Sequence, residues 1–237
     1  PDPRPLLSPA AGAWLDESVA RIAARPDAVR ALFPAARRRC GQARLDEHWT
    51  TDEAARAVLL AALPLRGGAL ADEVAGLYRH GDPAEQRAIL RSLPLLSAPD
   101  DDPFHTLALA LIREALRAND TSVVEAALGP YAAARLPDAD YRQAVLKCVF
   151  LDVPLARVAG LDTRADHELA RMLADFAHER IAAGRDVPPD VWPLVHPHPA
   201  VVDSLAARAR AQAPTRPEAA ARALTALTVT APLEEES

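Results

Sequence analysis

The chain has 237 residues, half of them hydrophobic, and a net charge of −6 at neutral pH. That length fits one large or two small domains with a sizeable core. The 27 basic residues are interleaved with 33 acidic ones, which removes the basic face that a phosphate-neutralising protein needs, so no nucleic-acid partner is expected.

Aromatic residues make up only 4%, so Leu, Ala and Val must fill the core. Small apolar side chains of that kind suit helix-on-helix contacts, and the abundant Ala, Leu, Arg and Glu are strong helix formers. No run approaches the ~18 consecutive apolar residues of a membrane-crossing helix. The opening PDPRPLLSPAAGAW lacks the basic-then-apolar pattern of a secretory signal. Cys40 and Cys148 are far apart and have no CxxC spacing, so a reducing, cytoplasmic setting is expected.

Ser8-Pro9 marks the first helix start, with Pro at the first helical position. Arg25-Pro26 ends that helix, and Asp27 opens a second that carries Pro34 and stops near Gly41. GQARLDEHWT reads as a loop, and Thr51 as the cap of DEAARAVLLAAL. Gly67-Gly68 precede ALADEVAGLYRH, and Asp82-Pro83 starts AEQRAILRSL. Asp100 to Asp102 with Pro103 start FHTLALALIREALRAND, where Phe104, Leu107, Leu111, Ile112 and Ala115 recur at helical spacing. Asp120-Thr121, Gly129-Pro130, Asp138 and Thr163 open four further helices, the last of them RADHELARMLADFAHERIAAG. Two more are expected at about 199–212 and 216–227. No stretch alternates like a strand. The pattern predicts an all-α fold of stacked antiparallel helix pairs, either an irregular HEAT-like solenoid or a helical bundle. The expected organisation is a flexible segment 1–8, a helical domain 9–195, a C-terminal helical pair 196–228 packed on it, and a disordered tail 229–237.

Lys147 is the one lysine of the chain and sits in AVLKCVFL among apolar neighbours. A buried lysine must pair with an acid or lose its charge. It therefore reads either as a poised amine (a base, a Schiff-base former or an anion anchor) or as a side chain whose stem follows the core to water. On the helix 164–183, His167, Arg171 and His178 share one face beside Glu168, Asp175 and Glu179. That face reads as solvated charge or as a polar wall. Asn119-Asp120-Thr121 can offer polar groups to a groove, or terminate one helix and cap the next. His196 and His198 resemble a metal hook but lack an acidic or Cys partner in sequence. Tyr131, Tyr141, Trp49 and Trp192 are pocket or core residues. There is no GxSxG, P-loop, GxGxxG, HExxH or metal-spaced Cys/His set, and neither cofactor nor metal is expected.

The segments REALRANDTSVVEAALGPYAAARL and YRQAVLKCVFLDVPLARVAGLDTRADHELARMLADFAHER, with the Pro-rich stop after them, resemble the EboA domain family. The resemblance spans about residues 75 to 195. It implies a bacterial cytoplasmic protein of a small biosynthetic cluster. The cluster would also encode a membrane prenyltransferase, a sugar-phosphate cyclase-like enzyme and metal-dependent hydrolase-like proteins. It assigns no catalytic residue. The expected function is an accessory or ligand-binding helical protein of secondary-metabolite biosynthesis, binding a pathway intermediate or a partner enzyme. The expected groove lies between helices 103–152 and 164–183, with Asn119, Asp120, Tyr141, Lys147, His167 and Arg171 as ligand residues and Lys147 and Arg171 as anion anchors. The alternative is a metal-independent cyclase or lyase using Lys147 on a prenylated or cyclitol-like intermediate. A pure protein–protein adaptor is the third reading.

Overall fold

The computed structural model describes residues 1–96 and 102–228. The expected disordered tail 229–237, and Asp100 and Asp101 of the acidic cluster, lie outside the described residues. Within them the chain is all-α, as the sequence predicts, with no strand. The helices are α1 (Pro9–Ala24), α2 (Val29–Cys40), α3 (Thr51–Ala61), α4 (Gly67–His80), α5 (Pro83–Ser92), α6 (Pro103–Ala115), α7 (Thr121–Ala127) and α8 (Pro130–Arg135). They continue with α9 (Asp138–Phe150), α10 (Leu161–Arg164), α11 (His167–Ala182), α12 (Trp192–Val195), α13 (Pro199–Gln212) and α14 (Pro217–Thr228). Two compact units result, the first Pro1–Leu136 and the second beginning at Pro137.

Most helix starts follow the sequence signals because capping chemistry is local. Ser8, Asp82, Asp102 and Asp120 each accept a backbone N–H of the first turn. Two starts differ. Thr50, not Thr51, caps α3, because Glu53 three residues on closes a capping box with it. Thr163 belongs to the short α10, and α11 starts at His167 because the Asp166 carboxylate accepts from the Leu169 amide. The 42–50 loop folds back on itself, with an isolated bridge between Arg44 and Thr50.

In the first unit, alternate helices pack on each other: α3 on α5 and α5 on α7, α4 on α6 and α6 on α8. Helix α3 also packs on α1 and α2. It is consequently buried on nearly all sides, including Asp52, Glu53 and Arg56. A charge without water must be paired. Arg56 Nη1 donates to Asp52 Oδ2 at 2.7 Å and its Nε donates to the Phe33 carbonyl at 3.2 Å. Arg56 Nη2 stands 3.7 Å from Glu85 Oε1. Glu53 takes Arg87 at 2.8 Å and Arg91 at 2.6 Å, both from α5. Arg87 and Arg91 in turn reach Ser122 and Glu125 of α7. Thr50 Oγ1 donates to Asp52 Oδ1 at 2.6 Å. Three helices are thus tied by one continuous ionic network.

In the second unit α11 is central and packs on α9, α12, α13 and α14. Its buried face is Leu169, Leu173, Phe176, Ala177 and Ile181. Met172 and Arg180 are half-buried beside it. Arg142 of α9 pairs with Asp166 and Arg208 of α13 pairs with Asp175. Both cysteines are buried and free.

Replacing Arg56 by Met strands the Asp52 carboxylate in the core with Thr50 as its remaining side-chain donor. Chemical denaturation is expected to show a loss of about 3–5 kcal/mol. An unchanged midpoint would mean that the pair contributes nothing.

Candidate functional site

Helices α2 and α4 and the start of α5 enclose a cavity of about 350 Å³ in the first unit. That is within the ~300–1,000 Å³ usual for small-molecule sites. Phe33 and Leu77 give it apolar walls, and both are buried. Two buried carboxylates, Glu73 and Glu85, also line it. Glu73 is taken by Arg30, whose Nε and Nη2 donate to both carboxylate oxygens at 2.7–3.2 Å. Asp72 and His80 are exposed lining residues.

Local sequence explains the shape. Pro34, a lining residue, stands inside α2 and has no N–H for the Arg30 carbonyl one turn back. Gly76 lies on the lining in mid-α4, and a Cβ there would meet nothing within 4 Å. At Gly81, by contrast, a Cβ would come 2.8 Å from the Leu77 carbonyl and 3.0 Å from Glu85 Cβ. Only glycine lets the α4–α5 turn close this tightly. Asp82 then caps α5 while Glu85 Oε2 accepts the Asp82 amide at 3.1 Å. The capping box therefore fixes the carboxylate that faces the cavity.

A second, more open cavity of about 390 Å³ lies in the second unit against Leu155, Leu161, Asp162 and Leu194. Its Asp190 is engaged by the Leu155 amide at 3.0 Å.

The residues singled out from sequence divide between the units. In the first, Asn119 and Asp120 are exposed. Asp120 caps α7 through Ser122 and Val123, and the Ser122 hydroxyl chiefly holds its carboxyl below the ordinary range. In the second unit, Tyr141 is buried and donates to the Ala159 carbonyl at 2.8 Å, with the Arg164 guanidinium 4.1 Å from its ring centre. Burial pushes its phenol up to about 12. Lys147 is half-buried in the last turn of α9. His167 is exposed at the start of α11, its ring edge-on to His198 at 5.6 Å. Arg171 is exposed and held between Glu168 at 2.7 Å and Asp175 at 2.8 Å, so its charge is already balanced. His196 Nε2 lies 3.1 Å from the Ala226 carbonyl. Among the described residues, no group of three or more His, Cys, Asp or Glu could hold a metal ion. No helix there is long and apolar enough to cross a membrane.

The cavity carboxylates and the α3 charges were not singled out from sequence. A signal existed: DEAARAVLLAAL is apolar around most of its circumference, and a helix of that kind is buried with its charges. The fold defines an all-α protein with a solvent-reached, carboxylate-lined cavity. Residues 34–196 match the family model described as metabolite traffic protein EboA, and the chain belongs to that family. No curated protein and no solved structure matches the chain. Pro34 and the α4 and α5 residues of the cavity fall within the matched span, while Arg30 and Phe33 precede it.

His178 of α11 is half-buried, and its Nδ1 is buried without a hydrogen-bond partner among the described residues. Burial, helped by Arg208, lowers its pKa against the opposing pull of Asp175 and Glu179. A base with a lowered folded-state value binds fewer protons folded than unfolded, so stability is full above the unfolded value of about 6.5 and falls below it. His178→Gln is expected to flatten the loss of urea midpoint between neutral and mildly acidic pH. An identical slope in the variant would show that His178 contributes nothing to it.

Proposed function

We propose that this protein is an accessory metabolite-binding protein, which holds a small intermediate in the α2–α4–α5 cavity and hands it on unchanged. The observation that carries the reading is the cavity itself. It is of metabolite size, walled by Phe33 and Leu77 and supplied with fixed buried carboxylates. Rigid polar groups on an apolar wall orient a ligand without an ordering cost at binding. The family description, metabolite traffic, supports movement of a compound rather than its conversion. The state of the lining groups supports it as well. Glu73 is held at both oxygens by Arg30, and Glu85 Oε2 is held by the Asp82 amide, so both carboxylates are fixed in place as binding groups. A cytoplasmic setting and delivery to a pathway enzyme complete the reading.

Gly76→Leu tests it, because the new side chain enters the cavity while α4 exchanges a glycine for a good helix former. A panel of small aromatic and alicyclic amines, alcohols and acids is offered to both proteins under native mass spectrometry. At least one member is expected to bind the wild type and to bind the variant about tenfold or more weakly. Equal binding to both proteins would overturn the assignment of the cavity. Chemical change of the bound compound would favour instead the metal-independent cyclase or lyase.

A further inference from the structure

Resting on that reading, we infer that the ligand of the α2–α4–α5 cavity is a small organic cation. An amine-bearing metabolite would place its ammonium group on Glu85 and Asp72 and its apolar body against Phe33 and Leu77. Three carboxylates line the cavity, those of Asp72, Glu73 and Glu85, against one guanidinium, that of Arg30. Arg30 is consumed by its two-oxygen pairing with Glu73. Two carboxylates therefore remain in excess.

Their states differ in a way that favours a donor-bearing ligand. Asp72 has no hydrogen-bond or ion-pair partner among the described residues and is exposed. Glu85 is buried, and only its Oε2 is hydrogen-bonded, to the Asp82 amide. Its Oε1 stands 3.7 Å from Arg56 Nη2, beyond hydrogen-bonding reach, and accepts no hydrogen bond among the described residues. Arg56 does not discharge it fully, because the Arg56 guanidinium is already matched at 2.7 Å by Asp52. A carboxylate oxygen without a hydrogen bond on a cavity wall can accept from a ligand, and the Arg56 Nη2 across from it is buried and likewise has no hydrogen bond among the described residues. An ammonium group brings three donors and the charge that offsets the excess. An anionic ligand would meet Asp72 and Glu85, with Arg30 already engaged by Glu73 and Arg56 by Asp52. A bare metal ion fits poorly, since these side chains do not form a metal-holding group.

The test is a matched series on the full chain: phenethylamine, phenethyl alcohol and phenylacetate, titrated by calorimetry or ligand-observed NMR at neutral pH. The amine is expected to bind about tenfold tighter than the alcohol, with phenylacetate weakest. Asp72→Asn and Glu85→Gln are each expected to weaken the amine several-fold and leave the alcohol unchanged. Asp72 is exposed and unpartnered, so Asp72→Asn keeps the comparison valid if Glu85→Gln does not fold. Alcohol or phenylacetate binding as tightly as the amine, still abolished by Gly76→Leu, would overturn the cation assignment and leave the metabolite-binding reading intact. If no member of the series or of the wider panel responds to Gly76→Leu, the binding site itself is wrong and the inference falls with it.

Discussion

Burying Arg56 and two carboxylates of α3 is the constraint on which the first unit depends. Taking an ion out of water costs several kcal/mol even after relaxation. That cost is met only if partners arrive at hydrogen-bonding distance from neighbouring helices. Asp52 supplies one partner within α3, and Arg87 and Arg91 of α5 supply the others to Glu53. The Phe33 carbonyl adds a bond from α2. The ionic contacts therefore fix where α2 and α5 sit against α3 more tightly than Ala and Leu packing alone would. Small apolar side chains allow close approach but specify register weakly, whereas a guanidinium between named oxygens tolerates little sliding.

The cavity inherits its rigidity from the same network. Glu85 belongs to both: its Oε2 closes the capping box of α5, and its Oε1 lies near Arg56. Gly81 lets the turn before it come close enough for that to happen. Phe33 likewise offers its carbonyl to the core and its side chain to the cavity wall. Glu85 and Phe33 thus link the cavity wall to the buried Arg56. A carrier benefits from such an arrangement, because pre-set acceptors need not be ordered each time a ligand enters.

Much of the fold was legible because helix punctuation is local. Ser8-Pro9, Asp82-Pro83, Asp102-Pro103 and Gly129-Pro130 all begin helices where the sequence places them. The two shifted starts, at Thr50 and Asp166, turn on which of several adjacent polar residues wins the first amide, a choice settled by partners such as Glu53. The cavity was not legible in the same way. It joins Arg30, Glu73 and Glu85 across tens of residues, and nothing in local spacing announces which turns face each other. Lys147 stands out in the sequence because it is a rare residue type in an apolar stretch. The stronger instance of the same argument was Arg56 in α3, hidden because arginine is common in this chain. For Tyr141 and Asp120, the plain structural roles of core packing and capping are visible in their hydrogen bonds.

Packed helices can open locally, with the outer ones coming away first. The ionic ladder through α3, α5 and α7 works against fraying. Peeling α5 away would leave Glu53 in an apolar core with neither arginine, and peeling α7 away would remove the outer partners of both arginines. Each partial opening thus leaves a buried charge short of its partners in addition to the packing it gives up. The ion pairs thereby couple the opening of α5 to that of α3 and α7, and α5 carries Glu85 of the cavity wall.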